Sequence, residues 1–380
     1  MPFVWISKLS RLKFKTAAIR SAGVVDKKEE EDDDDEEQGG EFVIETPNLK
    51  SEIFKDFVNF LQIKKFPRLD LAGKKCSIYS SINRSKMLKF TEKSSFFKGS
   101  MAEKYALLDS GDQRKLERFG DYLIVRPCSQ ALWVPVLSQG EWDRADAFFS
   151  RDGGNTWNFK RKLPEHWFSE VEGVRFKISP TDFGHLGVFP EHSLLWKSMK
   201  ESIRMRKDSP QILNLFAYSG GATLAAAQAG ARVCHLDASK GMVAWARENA
   251  AFNQLSSAPI RWIVDDAVKF LKREIKRGTR YEGIILDPPS FGRGCQGEVF
   301  KIERDIHELL TLCRQLLSEK PLFLLFTTHT PGMTPLVMGH LMRQKMQGLP
   351  GQIETGEMIL PADRGFDIPS GSFARWFSHV

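Results

Sequence analysis

Residues 211–228 read QILNLFAYSGGATLAAAQ, and the change of pattern within them decides the fold. Residues 212–216 are apolar except for Asn214, small residues and glycines follow at 217–221 on either side of Tyr218, and an alanine-rich stretch continues to residue 229. This order predicts a buried strand, a tight turn and a helix. Glycines in such a turn let a ligand approach the backbone, and the start of the helix offers free N–H groups.

The alternation of strands and helices continues through the C-terminal half of the chain. Apolar strands are predicted at 212–216, 232–236, 260–264, 283–286 and 322–327, with helices at 221–229, 239–252, 267–277 and 298–318. This order predicts an α/β fold with a doubly wound, mainly parallel sheet that binds ligands at the carboxyl ends of its strands. A helix at 335–346 and late strands at 351–360 and 372–377 predict an antiparallel hairpin at the sheet edge.

Residues 101–182 have a different sequence pattern, with short β-type runs at 122–125, 132–134 and 173–178 and a turn at Asp152-Gly-Gly-Asn155. We therefore predict a small β-rich domain at 101–182 and an α/β domain at 183–380. Residues 1–100 are predicted to be a largely disordered extension. Its acidic linker at 26–41 contains nine consecutive acids, which repel one another and cannot be buried.

Net charge and composition narrow the possible partners. Of the total charge of +7, residues 101–380 contribute only +4, from 36 basic and 32 acidic residues, so charge alone does not argue for nucleic acid. No run approaches the ~18 apolar residues that span a bilayer, which predicts no membrane association. The five cysteines match neither a zinc spacing nor a disulfide framework, which predicts free thiols and a cytoplasmic location. Residues 1–25, with five basic residues and no acid, are either a tail or an organelle presequence.

Acidic residues end the second, third and fourth predicted strands. Asp237 lies 17 residues after Gly220, where a carboxylate can accept both hydroxyls of a ribose. Asp265-Asp266 and Asp287 end the next two strands. An aspartate at such a position is often a helix N-cap, but the ordered recurrence over three strands favours a ligand site.

The run Asp287-Pro288-Pro289-Ser290-Phe291 is the most specific motif. Its two prolines lack backbone donors and stiffen the turn, which leaves the Asp287 carboxylate and nearby carbonyl groups as acceptors in the cleft. A rigid acceptor suits an amino group that attacks an electrophilic methyl group, because it orients the lone pair and stabilises the released proton.

These motifs resemble those of the class I S-adenosylmethionine-dependent methyltransferases. More narrowly, the chain is similar to bacterial large-subunit ribosomal RNA methyltransferases that join a small β domain to this fold. The matching segments lie within residues 101–380 at 185–191, 214–221, 233–237, 265–267 and 285–292. The resemblance implies a Rossmann-like, seven-stranded sheet with a C-terminal antiparallel hairpin, S-adenosyl-L-methionine as cofactor, and RNA, most of all ribosomal RNA, as partner.

The resemblance also implies roles for individual residues. Asp237 would bind the ribose, Asp266 the adenine amine, and Asp287 would border both the cofactor and the acceptor. The methionine part of the cofactor would be held by Phe216, Ala217, Tyr218, Ser219, Gly220 and Gly221. The catalytic motif would be Asp287, Pro288, Pro289, Ser290 and Phe291. Ser290 departs from many amino methyltransferases, in which an aromatic follows the prolines, so Phe291 is either the stacking face or a packed loop residue.

The acceptor atom and the alternatives depend on a few further residues. The fifth strand ends at Thr328-His329 without a cysteine, which argues against carbon-5 methylation and for a nitrogen acceptor. Cys295 in a nearby loop leaves a nucleophilic role open, and His329 is either a proton shuttle or structural. No cluster has metal-ligand spacing, so no metal is predicted. A nicotinamide-dependent oxidoreductase would need a Gly-x-Gly-x-x-Gly motif, which 217–222 lacks, and a non-catalytic RNA-binding protein on a degenerate fold stays open.

Overall fold

A computed structural model describes residues 104–294 and 297–378. All of them belong to one compact unit of the chain, Phe96–Val380. The predictions for the extension at 1–100, its acidic linker at 26–41 and Cys295 lie outside the described residues. The division of the remainder at residues 182 and 183 stays a prediction.

The first sheet has five strands in sequential order, with antiparallel neighbours except for the parallel pair β3 and β4. A short helix α1 (Gln139–Trp142) lies in the connection between those two, as a parallel pair requires a crossover. The strands are β1 (Ala106–Gly111), β2 (Arg114–Phe119), β3 (Tyr122–Pro127), β4 (Ala147–Ser150) and β5 (Thr156–Phe159). The predicted strand at 132–134 is wrong: these residues form a loop, in which Leu132 and Val134 are exposed.

A separate hairpin, β6 (Trp167–Val171) and β7 (Val174–Ile178), connects this sheet to the rest of the chain. Alternate residues of β7 are buried, as its sequence pattern predicts. Asn249 accepts a hydrogen bond of 2.9 Å from the backbone N–H of Lys177. The hairpin is therefore tied to the helix that carries Asn249, next to the main sheet.

The second sheet has seven strands in the order β10-β9-β8-β11-β14-β16-β15. The first five are parallel and the last two antiparallel, which confirms the predicted fold class. Its strands are β8 (Gln211–Leu215), β9 (Arg232–Asp237), β10 (Ile260–Val264), β11 (Gly283–Leu286), β14 (Phe323–Thr328), β15 (Gln352–Leu360) and β16 (Ile368–Phe377). The helices are α2 (Ser193–Arg204), α3 (Gly221–Gln228), α4 (Lys240–Phe252), α5 (Ala267–Lys276), α6 (Ile302–Leu316) and α7 (Pro335–Met346).

The central strands are largely apolar because both faces of the sheet are covered. Ile212 and Ile285 belong to a core cluster with residues of α2 and α3. Leu213 and Leu286, one position further along, belong to a second cluster with residues of α5, α6 and α7. Helices on both faces leave the carboxyl ends of the strands as the place for a site.

The predicted helix at 298–318 begins too early. Phe291–Arg293 forms β12 and pairs with β13 (Val299–Lys301) in a two-stranded hairpin, and α6 begins only at Ile302. Asp305, in the first turn of α6, accepts a hydrogen bond of 2.8 Å from the backbone N–H of Lys301. The hairpin therefore separates Ser290 of the Asp287 motif from the start of α6.

Among the described residues, no helix combines the length and the apolar character needed to cross a bilayer.

Candidate functional site

The acids that end the parallel strands line one cleft of about 630 Å³. Asp237 ends β9, Asp265 and Asp266 follow β10, and Asp287 follows β11. Phe216 and Tyr218, from the turn after β8, also line this cleft. The structure thus brings together side chains that are up to 71 positions apart in the sequence.

The turn after β8 has an unusual backbone. Phe216 and Tyr218 have φ angles of 54° and 50°, and Gly220, the N-cap of α3, has a φ of 93°. Only glycine adopts such an angle without a steric cost. A side chain on Gly221 would also collide with Trp196, because its Cβ would lie 2.6 Å from Cζ2 of the indole. The two glycines therefore allow the turn to close over a packed tryptophan.

Hydrogen bonds from three other segments fix this turn. The backbone N–H of Ala217 donates to the carbonyl of Leu236 at 3.0 Å. The Ser219 hydroxyl donates to the carbonyl of Gly187, and the side-chain amide of Asn249 donates to the carbonyl of Ser219 at 3.0 Å. The backbone of the turn is therefore held in place by β9, by α4 and by the segment that precedes the sheet.

Asp237 is tied to the same turn. Its Oδ2 accepts a hydrogen bond of 2.9 Å from the backbone N–H of Tyr218, and its Oδ1 accepts one of 2.9 Å from Ser239. Burial raises the pKa of Asp237, and these two hydrogen bonds only partly oppose that shift. Each carboxylate oxygen keeps a lone pair for a further donor, such as a hydroxyl group.

Asp266 caps a helix and also lines the cleft. Its Oδ1 caps α5 by accepting a hydrogen bond of 2.8 Å from the backbone N–H of Lys269. The same residue lines the cleft beside Ala267. Asp265 instead forms a salt bridge with Arg273.

Threonines of β14 and of the loop after it hold the Asp287 motif. The Thr327 hydroxyl donates to Oδ1 of Asp287 at 2.8 Å, and that of Thr328 donates to the carbonyl of Pro288 at 3.4 Å. The hydroxyl groups of Ser290 and Thr330 lie 2.8 Å apart. The Asp287 carboxylate is thus fixed at the junction of two neighbouring parallel strands.

Phe291 is placed differently from the rest of the motif. Pro288, Pro289 and Ser290 line the cleft, whereas Phe291 is not among its lining residues. Its ring lies on β12, is half-exposed and lies 5.9 Å from the guanidinium carbon of Arg293. The role of Phe291 as a stacking face stays a prediction.

Sequence reasoning named Tyr218 and His329 separately but missed that they belong to a group of side chains around Phe189. Its ring centroid lies 5.1 Å from that of His185, 6.2 Å from His192, 5.3 Å from Tyr218 and 5.6 Å from His329. The sequence did contain a signal: residues 185–192 hold two histidines and a glutamate in an otherwise apolar stretch. No spacing rule connects that segment to the loop after β14.

Titratable groups from three segments meet at this point. His192 Nε2 lies 3.5 Å from Oδ2 of Asp287, and His329 Nε2 lies 3.0 Å from Oε1 of Glu191. Burial favours a raised pKa for Glu191, but the hydrogen bond from His329 and the positive charge of Lys115 lower it to about 2. The prediction that the chain binds no metal stays a prediction.

A second, larger cleft of about 950 Å³ adjoins the first, and His185, Phe189 and His329 line both. Residues of β2, β3 and β4 form much of its wall. Its cations are Arg114, Lys115, Arg126, Arg151 and Lys160, and its acids are Asp112, Asp143, Asp152 and Glu191. Arg126 is buried and bidentate with Glu117, at 2.7 and 2.8 Å. Arg151 forms no ion pair with any described residue, so its charge is available to a ligand.

The strand order and the acidic strand ends define a Rossmann-like methyltransferase fold. A family model described as S-adenosylmethionine-dependent methyltransferase matches residues 121–336, more than half of the chain. A solved S-adenosylmethionine-dependent methyltransferase from Agrobacterium tumefaciens is 41% identical, with a TM-score of 0.71, over 73% of this chain and 91% of that one. The chain therefore belongs to the S-adenosylmethionine-dependent methyltransferase family.

Two further similarities are less extensive. A Streptococcus mutans chain assigned to the same class of methyltransferases is 19% identical with a TM-score of 0.58, over 74% of this chain and 77% of that one, and shows the fold alone. Ribosomal RNA large subunit methyltransferase K/L of Shewanella sp. (strain MR-4) is 32% identical over 149 residues. That match covers 38% of this chain but only 20% of the relative. Because the chain belongs to a methyltransferase family, the alternative of a nicotinamide-dependent oxidoreductase is wrong.

Proposed function

We propose that this protein methylates a base nitrogen of ribosomal RNA. One observation carries the proposal: the Asp287 carboxylate, fixed by Thr327, lies in the acid-lined cleft next to residues that also line the larger, partly cationic cleft. An acceptor that enters through the larger cleft would meet Asp287 at the edge of the cofactor site. The similarity to ribosomal RNA methyltransferases K/L supports RNA as the acceptor.

The hydrogen-bond acceptors that line the smaller cleft fit the cofactor that the family uses. Asp237 keeps lone pairs for ribose hydroxyls, and Asp266 keeps acceptor capacity beyond its helix cap for the adenine amine. The turn at 216–221 would present its backbone to the methionine part. When bound, S-adenosylmethionine supplies an activated methyl group, and the protein contributes position and orientation.

The acceptor side depends on rigidity. Pro288 and Pro289 have no N–H groups, and the loop is fastened by Thr328 and Thr330. Asp287 can therefore accept a hydrogen bond from an amino group without rearranging. Because the site is open to the larger cleft, it can take a base that has been turned out of a structured RNA.

The larger cleft has suitable chemistry for a nucleotide. A volume of about 950 Å³ lies within the range of ~300–1,000 Å³ that ligand pockets span. Arg151 offers an unpaired guanidinium for a phosphate, and Phe183, exposed at the cleft, offers a face for a base. The compartment in which the protein meets RNA stays a prediction.

Methyl transfer to RNA is testable with the purified chain. Labelled S-adenosylmethionine and ribosomal RNA from cells that lack the protein should give label in RNA, and nucleoside mass spectrometry should identify a base methylated at nitrogen. Asp287→Asn should lower the rate by ~100-fold or more. Label that enters protein would reject RNA as the acceptor, and no label in any substrate would favour a degenerate RNA-binding protein.

The cofactor assignment is tested separately by calorimetry. Asp237→Ala should weaken S-adenosylmethionine binding by about 100-fold, because two charge-assisted hydrogen bonds are lost. Asp121→Ala is the matched control, since that side chain is exposed and lies in the turn between β2 and β3, far from Asp237 in the sequence. Equal affinities for the two variants would remove Asp237 from the cofactor site.

A further inference from the structure

Glu191 and His329 form a carboxylate–imidazole pair beside the Asp287 carboxylate. Glu191 is only 5% exposed, on the turn Pro190–His192 that leads into α2, and its Oε1 accepts the hydrogen bond from Nε2 of His329. His329 follows β14, and its side chain is 39% exposed. A buried carboxylate that takes the Nε2 hydrogen fixes the tautomer of a neutral imidazole, so its lone pair is on Nδ1.

The pair is next to the proposed reaction site. A nitrogen of His329, a nitrogen of His192 and an oxygen of Asp287 lie within 4.8 Å of one another. The ring centroids of His192 and His329 are 5.4 Å apart. His329 also lines both clefts, so a group bound against Asp287 would lie next to the imidazole.

We propose that His329, held by Glu191, accepts the proton that an exocyclic amino group of the RNA base loses when it is methylated. This inference rests on the proposed function and narrows it. A pyridine-type ring nitrogen carries no hydrogen to lose, whereas an exocyclic amine must release one to become neutral. A ring nitrogen that does carry a hydrogen, such as N1 of guanine, has only one, whereas an exocyclic amine has two, one for the Asp287 carboxylate and one for the base. An oriented base beside Asp287 therefore favours the exocyclic amine as acceptor.

Methyl transfer is a simple substitution, and a proton transfer follows it. The nitrogen–carbon bond forms as the carbon–sulfur bond breaks, and the sulfur keeps that electron pair. The nitrogen then carries a positive charge and one hydrogen too many. Asp287 accepts a hydrogen bond from one of the two N–H groups, and the proton of the other passes to Nδ1 of His329. The exposed edge of the ring releases it to solvent.

Charges on every side set the protonation of His329. Glu191 and Asp287 are the acids that face it, and Lys115, His185 and His192 are the basic groups. Burial lowers the pKa of His329, but the Glu191 hydrogen bond and the charges of Asp287 and Glu191 outweigh it and raise that pKa above its usual 6.5. Activity should therefore rise with pH as His329 loses its proton.

Three variants test the inference by steady-state kinetics at a series of pH values. His329→Ala should lower kcat by about 100-fold with little change in the KM for RNA or in cofactor affinity. Glu191→Gln should move the acid limb of the kcat profile about one pH unit lower, because the imidazolium loses its anionic partner. His166→Ala, at an exposed histidine near β6, should leave the profile unchanged.

The folding of each variant and the atom that is methylated are measured as well, so that a loss of activity can be assigned to one cause. Thermal unfolding and calorimetry with S-adenosylmethionine show whether each variant is intact, and His329→Gln replaces His329→Ala if the latter unfolds. An acid limb that stays in place in Glu191→Gln, or an activity that falls as His329 deprotonates, overturns the role of the pair. Methylation at a ring nitrogen overturns the inference but leaves the proposed function standing. No methylation of RNA by the wild type rejects the proposed function itself.

Discussion

The hydroxyl of Thr327 donates a hydrogen bond of 2.8 Å to Oδ1 of Asp287, across two adjacent parallel strands. The two residues are 40 positions apart in the chain; Asp287 follows β11, and Thr327 is the last residue but one of β14, at the same edge of the sheet. This contact leaves Oδ2 of Asp287 to face His192, at 3.5 Å. The orientation of the proposed catalytic carboxylate is therefore decided by the neighbouring strand.

Thr327→Val should lower kcat by about tenfold, since a hydrogen bond to a charged group is worth ~1.5 kcal/mol. Valine has nearly the same shape, so the fold should persist. Thr327→Ser keeps the hydroxyl and is the matched control, which should retain most of the activity. Methyl incorporation into RNA measures both. Equal losses in the two variants would mean that packing at Thr327, rather than its hydroxyl, matters.

Gly221→Ala should destabilise the protein by about 1–3 kcal/mol, because the new methyl group meets the Trp196 ring at 2.6 Å. Gly241→Ala is the control, in the first turn of α4, where the new methyl group meets its nearest atom at 3.8 Å. It should be neutral or stabilise by up to ~1 kcal/mol. Denaturant unfolding measures both free energies, and a neutral Gly221→Ala would show that the indole can move aside.

Arg151→Ala should weaken RNA binding by about tenfold and reduce the slope of log affinity against log salt by about one. Arg247→Ala is the control, since that side chain is exposed on α4 and forms no ion pair with a described residue. Filter binding at several salt concentrations gives both quantities. Matching effects of the two variants would mean that the larger cleft does not hold the RNA backbone.

His235 should make the protein less stable in mild acid. It is fully buried, with Nδ1 2.9 Å from the Thr223 hydroxyl, which in turn accepts a hydrogen bond from Asn214. Burial lowers the pKa of His235 to about 3 from its usual 6.5. The folded protein therefore binds fewer protons than the unfolded chain between these values, and stability falls as the pH falls from 6.5.

The expected slope from this one group is about 1.4 kcal/mol per pH unit. His235→Gln keeps an acceptor for Thr223 but has no titrating group. Urea unfolding of both proteins from pH 7 to pH 4 should show a steeper loss for the wild type. Parallel curves would show that His235 does not determine the acid sensitivity.

The fold could be predicted from local patterns. The central strands are largely apolar because helices cover both faces, and that composition is visible without any tertiary information. The prediction erred where local preference was ambiguous: residues 298–301 were assigned to a helix, yet Val299 and Phe300 pair with β12. The helical sequence pattern of α6 extends back into residues 298–301. Only the pairing with β12 shows that Val299 and Phe300 belong to a strand.

The sequence by itself determined that Asp237, Asp266 and Asp287 share one edge of a parallel sheet, because residues after successive parallel strands must meet there. Only the tertiary structure brought His329 to Glu191, which precedes it by 138 positions, and His329 to Asp287. Those residues lie in a turn and a loop without regular periodicity. Their meeting depends on how the segment before α2 packs across the ends of β11 and β14, and no pattern within either segment encodes that packing.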